Sequence, residues 1–350
     1  MAIKRAFRKL ILSVITLSLV LFTLGTSTFA WFVLSDVNEV SDINITVGGG
    51  ETLEISLNRK DYYGVIPANL LMSYIKGQNG DQELCLRPVT SLDGRTVQNL
   101  NGDVLKTVED GLNVNFIKLR IYFRATDINE TTAEERGLGV YLDDFNAGVT
   151  YDNVNFEGGT YIISKGIKAR ADVDFTDYDV KTGEPIDINS SDVLTKYASD
   201  AVRVAFYDSQ YNLYGSQELA TKYYDLSYRD GKSLSTYGYG YGYDGDLEDL
   251  KGSASYYYRK TGSTLTPSEL QASVYDVNNG FSEFGSDELA MYADNSNGFI
   301  CYLTQVDVGT YEGTMTMLIW LEGYDPDCYN VIGNDDIVVS LSFKLGYRAN

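Results

Sequence analysis

Carboxylates near the end of the chain come closest, by residue type and spacing, to a chemical site. The candidate ligands are Glu322, Asp325, Asp327, Asp335 and Asp336. Hard cations such as Ca²⁺ bind several oxygen ligands, which Asp-rich loops often supply, so the sequence predicts a calcium site here. The spacing Asp325-x-Asp327 completes no calcium-loop consensus, so a tight turn is the alternative. In that turn Pro326 fixes φ and Asp325 caps backbone N–H groups.

A second acidic stretch lies in the middle of the chain. Its members are Asp172, Asp174, Asp177 and Asp179. Like charges that alternate along a strand are typical of a face exposed to solvent, and we interpret the stretch in this way. Cation binding by the same four carboxylates is the alternative.

Paired carboxylates can hydrolyse glycosides without histidine. Glu322 and Trp320 are the pair to consider, because alternation places them on one strand face and an aromatic neighbour can raise a carboxyl pKa. The chain contains no histidine, which excludes Ser-His-Asp and Cys-His catalysis and His-ligated metals. It also shows no P-loop, Cys-x-x-Cys pair or nucleophile elbow. Since 49 acidic residues guarantee chance pairs, we expect a protein that is not an enzyme.

Tyrosine is unusually frequent, with 29 residues in the chain. Residues 219–297 are rich in Tyr, Gly and Ser and lose the apolar alternation of their flanks, so we interpret them as an insertion. Within it, Tyr237, Tyr239, Tyr241 and Tyr243 alternate with glycine. A tyrosine ring offers a flat apolar face and a hydroxyl, which suits glycan binding. A low-complexity loop is the alternative interpretation.

The three cysteines are Cys85, Cys301 and Cys328. An odd and sparse set is not typical of a disulfide framework. One bridge among the three, or three small buried hydrophobic side chains, are both compatible with the sequence.

The first thirty residues have the layout of a secretory signal. Lys4, Arg5, Arg8 and Lys9 precede an apolar run over residues 10–24, and small residues follow at Thr28 and Ala30. Cleavage after Ala30 starts the mature chain at Trp31, and an uncleaved membrane anchor is the alternative. We therefore expect a secreted or cell-surface protein.

The elements that must position these residues are strands. Apolar residues alternate with polar ones around residues 43–47, 117–123, 202–206, 315–321 and 337–345. This pattern predicts an all-β fold, a jelly-roll-like or Ig-like β-sandwich. Its core is expected from residues 51–218 and 298–350, after an N-terminal segment and Gly linker at 31–50.

The net charge of the chain limits the classes of partner that we expect. The 350-residue chain has a net charge of −21 and a pI near 4.3. A phosphate backbone would be repelled, which argues against nucleic acid. No cofactor other than Ca²⁺ is indicated. The partners we expect are further copies of the chain, other surface proteins or glycans, with the membrane reached only through an uncleaved signal.

Two segments carry a family resemblance. Residues 28–32 (TFAWF), closing the basic and apolar signal, resemble export signals handled by the SipW-type signal peptidase of Gram-positive bacteria. Residues 31–47 resemble the mature start of the TasA/camelysin group of secreted biofilm-fibre proteins. Residues 319–328 (IWLEGYDPDC) are similar to an element of surface proteins with such signals. The resemblance implies a jelly-roll-like sandwich displayed outside the cell, with a structural role in a surface or extracellular matrix.

The sequence therefore favours a secreted, non-catalytic structural protein of the cell surface or extracellular matrix, able to self-assemble. An adhesin that binds glycans or surfaces through the Tyr-rich insertion is the alternative. Residues 31–47 are suited to complete the open sheet edge of a neighbouring copy, because three glycines at 48–50 detach them from the next strand. The simpler interpretation makes them the first strand of their own sandwich.

Overall fold

The structure is a computed structural model of the chain. It describes residues 38–47, 53–78, 85–91, 93–99, 103–105, 115–126, 128, 133, 137–142, 160–179, 184–207, 222–224, 226–227, 250–263, 299–323, 325 and 327–347. Strands dominate these residues, and the α-helices among them are short, so the prediction of an all-β fold is confirmed. The finer choice between a jelly-roll-like and an Ig-like topology stays a prediction.

The described elements are numbered along the chain. The strands are β1 (Asn38–Val47), β2 (Leu53–Ser56), β3 (Val65–Ile66), β4 (Cys85–Leu86), β5 (Pro88–Val89), β6 (Phe116–Ala125), β7 (Leu138–Leu142), β8 (Tyr161–Ser164), β9 (Ile167–Arg170), β10 (Phe175–Tyr178), β11 (Pro185–Ile188), β12 (Val193–Lys196), β13 (Val202–Tyr207), β14 (Lys222–Tyr224), β15 (Phe299–Asp307), β16 (Thr310–Glu322) and β17 (Ile337–Tyr347). The helices are α1 (Ala68–Gln78), α2 (Gly252–Thr261) and the short 3₁₀-helices η1 (Ala198–Ala201) and η2 (Asn330–Asn334).

β16 is the centre of the first sheet. β6 runs antiparallel along one side of it, β13 pairs with the later part of the other side, and β2 and β14 extend the sheet outward. The strand pattern of β6 shows why it forms here: Ile117, Leu119, Ile121 and Phe123 are buried, while Arg120 on the opposite face is exposed. Alternation therefore gives this sheet one apolar inner face.

β17 is the centre of the second sheet. β1 runs parallel to it on one side, and β7 and β8 pair with it on the other. Ile43 and Ile45 of β1 are fully buried, and the short β3 pairs with the outer side of β1. The segment thus lies in its own chain's sheet, as the simpler interpretation of residues 31–47 expects. Residues 31–37 are outside the described part of the chain.

β15 belongs to both sheets. Its first half pairs with β7 in the second sheet, and its second half pairs with β16 in the first. Gly313 of β16 lies beneath this crossing, where a Cβ atom would approach the carbonyl oxygen of Tyr302 to 2.5 Å. The crossing closes one corner of the fold and requires a glycine there.

The inner faces of the two sheets pack together, and we call this unit the sandwich. Phe343 of the second sheet contacts Phe123 and Phe206 of the first, with ring centroids 5.2 Å and 6.1 Å apart. All three rings are fully buried, and burial of each contributes about 1.5–3 kcal/mol relative to an exposed side chain. This apolar interior holds the strands that carry the candidate site.

Residues 167–179 and 184–196 form the two arms of a β-hairpin beside the sandwich, in which β9 pairs with β12 and β10 pairs with β11. Helix α2 packs on β10, where Phe175 meets Tyr256 edge to face at 5.4 Å between centroids. We call the hairpin together with α2 the annex. Helix α2 and β14 come from residues 219–297, so these parts of the interpreted insertion cover the hairpin and extend the first sheet.

Candidate functional site

The acidic segment singled out in the sequence follows β16 and lies between the sandwich and the annex. Its first residues form a tight turn, in which the N–H of Asp327 donates to Oδ1 of Asp325 at 2.8 Å. The N–H of Cys328 donates to the backbone oxygen of Asp325 at 2.9 Å. Asp325 thus caps a backbone N–H group as the turn interpretation predicts, whereas Pro326 lies outside the described residues. The turn directs the two aspartates into the junction.

Arg203 of β13 neutralises Asp325 inside this junction. Its side chain is only 1% exposed, and its Nη2 donates to Oδ2 of Asp325. Its Nη1 donates to the backbone oxygens of Asp200 and Val202, both at 2.9 Å. The hydroxyl of Ser253 in α2 donates to the backbone oxygen of Asp325 at 3.0 Å, so this aspartate connects both units of the fold.

Lys196 forms the second charged group of the junction. Its Nζ contacts the carboxylate of Asp177 and lies 3.9 Å from Oδ1 of Asp327. The ring of Tyr329 covers the same Nζ at 4.4 Å, a cation–π contact. The hydroxyl of Tyr178 donates to Oδ2 of Asp327, so that carboxylate is approached from two sides.

The remaining candidate ligands are bound elsewhere. Asp335 accepts the backbone N–H groups of Gly166 and Ala198, both at 2.9 Å. Asp336 contacts Lys165 near the surface. Glu322 accepts the indole N–H of Trp320 at 2.9 Å, which places this pair on one strand face as alternation predicts.

The five predicted calcium ligands are therefore held by different partners and do not meet at one point. In the residues that the structure describes, no group of three or more acidic or cysteine side chains is arranged to hold a metal ion. Calcium binding stays a prediction, now without a shared geometry to support it.

Burial and the nearby carboxylates shift the titration of two neighbours. Burial, and then the charge of Asp327, raise the pKa of Tyr178 well above its ordinary value of 10. Burial, and then the charge of Asp325, raise the pKa of the Cys328 thiol well above 9. Both groups are thus neutral at physiological pH, and Cys328 is not an activated nucleophile.

The interpretation of the second acidic stretch was wrong for Asp177, which is 3% exposed rather than solvated. Phe175 and Asp177 point to the same side of β10, so the burial of the ring carries the carboxylate inward. Lys196 compensates the charge. Asp172 does lie at the surface, where it contacts Lys260 and Tyr256.

Several predicted positions fall outside the described residues. They are the proposed cleavage site at Ala30 and Trp31, the tyrosines Tyr237, Tyr239, Tyr241 and Tyr243, and the side chain of Cys85. Cys301 and Cys328 are both thiols, and Cys301 is fully buried, as expected for small hydrophobic side chains.

Sequence reasoning missed the cations of the junction. Arg203 had a detectable signal, because it stands alone as a charge in a strand whose other members are all apolar or aromatic. A charge inside such a strand indicates a buried partner. Lys196 had no comparable signal, since it ends a short strand of mixed polarity.

Comparison of the chain with protein-family models, with curated proteins and with solved structures found no match. Among the described residues, none of the helices has the length and apolar character needed to cross a membrane.

Proposed function

We propose that the chain is a secreted, non-catalytic structural protein of the cell surface or extracellular matrix of a Gram-positive-type bacterium, and that it self-associates. One observation carries the proposal: the junction's buried carboxylates are bound by cations, hydroxyls or N–H groups of the same chain. Asp325 binds Arg203, and Asp327 binds Tyr178 beside Lys196. Such contacts join two parts of a fold, and they leave the carboxylates occupied by partners from the same chain.

The family resemblance supports the same proposal, and it falls on the segment that supplies the junction aspartates. The Trp-Leu-Glu-Gly element at residues 320–323 ends β16, and its indole and carboxylate bind each other. The Asp-Pro-Asp-Cys part that follows supplies the turn and both junction aspartates. The residues that resemble surface proteins thus have structural roles in this chain.

Self-association by exchange of the N-terminal strand fits the position of β1. This strand runs beside β17, whereas β3 and β4 each pair with only two of its residues. Withdrawal of β1 exposes a long edge of β17, which the β1 of another copy is able to fill. Signal cleavage before residue 31 frees this strand outside the cell.

The test compares the mature chain from Trp31 with a deletion of residues 31–42, using light scattering and electron microscopy at low and high salt. We expect oligomers of the intact chain that grow with salt, because screening reduces repulsion between acidic copies. The deletion should remain a folded monomer. Monomers of the intact chain at every salt concentration would contradict the proposal.

The same samples test the adhesin alternative on a glycan array. Binding that disappears when Tyr239, Tyr241 and Tyr243 are replaced by Ala, together with a monomeric mature chain, would favour the adhesin. A blank array leaves the structural role as the better supported function.

A further inference from the structure

One contact in the junction joins groups that can react with each other. The Nζ of Lys196 touches the carboxylate of Asp177 across the annex hairpin, and the two side chains are only 11% and 4% exposed. An amine and a carboxyl group held together away from water are the two halves of an amide bond. Lys196 lies on β12 and Asp177 on β10, so both are fixed by strand pairing.

A third group, the carboxylate of Asp327, is close enough to accept and return a proton. Oδ1 of Asp327 is 3.9 Å from the same Nζ, and its other oxygen accepts the hydroxyl of Tyr178. Asp327 is 5% exposed, and Oδ1 of Asp177 is buried with no hydrogen-bond partner among the described residues. The reacting carboxyl group therefore has one oxygen facing the amine and a second that no donor holds.

Aromatic rings close the site against water. Tyr329 covers Nζ at 4.4 Å, and Phe175 and Tyr256 each lie 6.3 Å from the Tyr329 ring. Water is the product of amide formation from a carboxylic acid, so a site that excludes water shifts this equilibrium toward the amide.

We propose that Lys196 and Asp177 join in an intramolecular amide bond, with Asp327 as the proton carrier. The Lys196 ammonium first transfers one proton to Asp177, which gives a neutral amine and a carboxylic acid. The amine attacks Cγ of Asp177, and Asp327 takes the second proton from nitrogen. The Nζ–Cγ bond remains as a Cγ–O bond breaks, and Asp327 returns its proton to the departing hydroxide. One water molecule leaves, and no oxidant or cofactor is needed.

Two other Lys–Asp contacts show why this pair is singled out. Lys260 contacts Asp172, and Lys165 contacts Asp336, but the lysine side chains of these pairs are 40% and 78% exposed. Water surrounds these ions, so they remain ordinary ion pairs. The same chain thus contains matched controls for the reaction.

The bond would close a covalent loop over residues 177–196 and fix β10 to β12. Closing a loop of this kind restricts the unfolded chain in the way that a disulfide does. A chain with few cysteines gains a cross-link that reducing agents do not cleave. The inference does not depend on the proposed self-association, because it concerns a bond within one copy.

Peptide mapping of the full chain by mass spectrometry tests the proposal without reference to signal cleavage. We expect one branched peptide that contains both Lys196 and Asp177 and weighs one water less than its two parts. Fragmentation should locate the link at these two residues. Recovery of the two peptides only as separate linear species from the unaltered protein would overturn the proposal, whatever the variants do.

Variants test which residues take part in the proposed reaction. Lys196→Arg and Asp327→Asn should lose the branched peptide, whereas the control Lys260→Arg should keep it. Asp177→Asn should form the same link with loss of ammonia in place of water, so that its linear precursor differs but its product is identical. A water deficit that persists in Lys196→Arg would assign the mass change to another reaction and overturn the link. Circular dichroism identifies any variant that fails to fold.

Discussion

The sandwich and the annex are held in place by different kinds of buried contact. The sandwich packs two apolar sheet faces against each other, with Phe123, Phe206 and Phe343 at the centre. The annex shares a small apolar cluster with the segment after β16, in which Phe175 packs with Tyr329, and a buried set of charges lies next to it. A small layer buries too little apolar surface to hold itself in place. Among the described residues, the ion pairs with both side chains buried lie at the junction, where the apolar core is thin.

Buried ion pairs bring specificity more readily than stability. Desolvation of each ion opposes the Coulomb attraction between them, but removal of one partner leaves a buried charge unpaired. Arg203 and Asp325 thus fix how the turn after β16 meets β13, while the apolar sandwich supplies most of the folding free energy.

The largest expected effect is in the sandwich. Phe343→Ala should lower the free energy of unfolding by about 3–5 kcal/mol, because it leaves a cavity between two sheets that meet at this ring. Urea unfolding followed by fluorescence measures the change. Phe175→Ala in the annex is the matched variant, and we expect it to release the annex with a smaller loss for the sandwich. Equal losses at both positions would mean that the two units unfold as one.

A large effect of a different kind is expected at the junction. Arg203→Met should destabilise the fold by about 3 kcal/mol, since Asp325 is left buried without its cation. The double variant Arg203→Met with Asp325→Leu should recover much of that loss, because it removes both charges. Urea midpoints of the three proteins provide the measurement. A double variant no more stable than the single one would show that the pair itself contributes net stability.

The smallest effect separates the units by pH. Burial, and then Glu312, raise the pKa of Tyr62, between β2 and β3, to about 12. Burial, and then Asp327, raise the pKa of Tyr178 in the annex well above its ordinary value of 10. A raised tyrosine pKa means that its stabilising contribution is complete below the unfolded value of 10 and is lost as the pH rises through the folded value.

Stability measured between pH 10 and about 12 should therefore fall in the unaltered protein. Tyr178→Phe and Tyr62→Phe should each make the fall shallower, because each removes one hydroxyl whose pKa is raised by folding. A variant whose stability falls as steeply as that of the unaltered protein would contradict the prediction for its tyrosine.

Sequence patterns predicted much of the sandwich and little of the annex. Alternating apolar residues predicted the strands that became β6, β13, β16 and β17, because a strand with one buried face must alternate. The same pattern contains no information on which strands pair, so the passage of β15 between the sheets was not predictable. The run of three tyrosines at 256–258 was interpreted as part of a loop-rich insertion, yet it lies in α2, where Tyr256 packs on Phe175.

The site was predicted only in part, for a physical reason. The acidic residues after Trp320 were recognised by their density, and Asp325 was expected to cap a turn, as it does. Their cations come from Lys196 and Arg203, more than a hundred residues earlier in the chain. Pairing between such distant charges depends on the fold and leaves no local pattern. The exposure of Asp177 was predicted wrongly, because Asp177 lies on the same face of its strand as Phe175 and that face is buried.

The parallel arrangement of β1 and β17 has a mechanical consequence. Tension applied to the chain before residue 38 and after residue 347 pulls these neighbouring strands in opposite directions along their common axis. Every hydrogen bond between them then bears the strain at the same time, whereas an antiparallel hairpin pulled from its ends opens one bond after another. The first and last strands of the sandwich therefore form a clamp against stretching, and force reaches the interior only after that clamp slides apart.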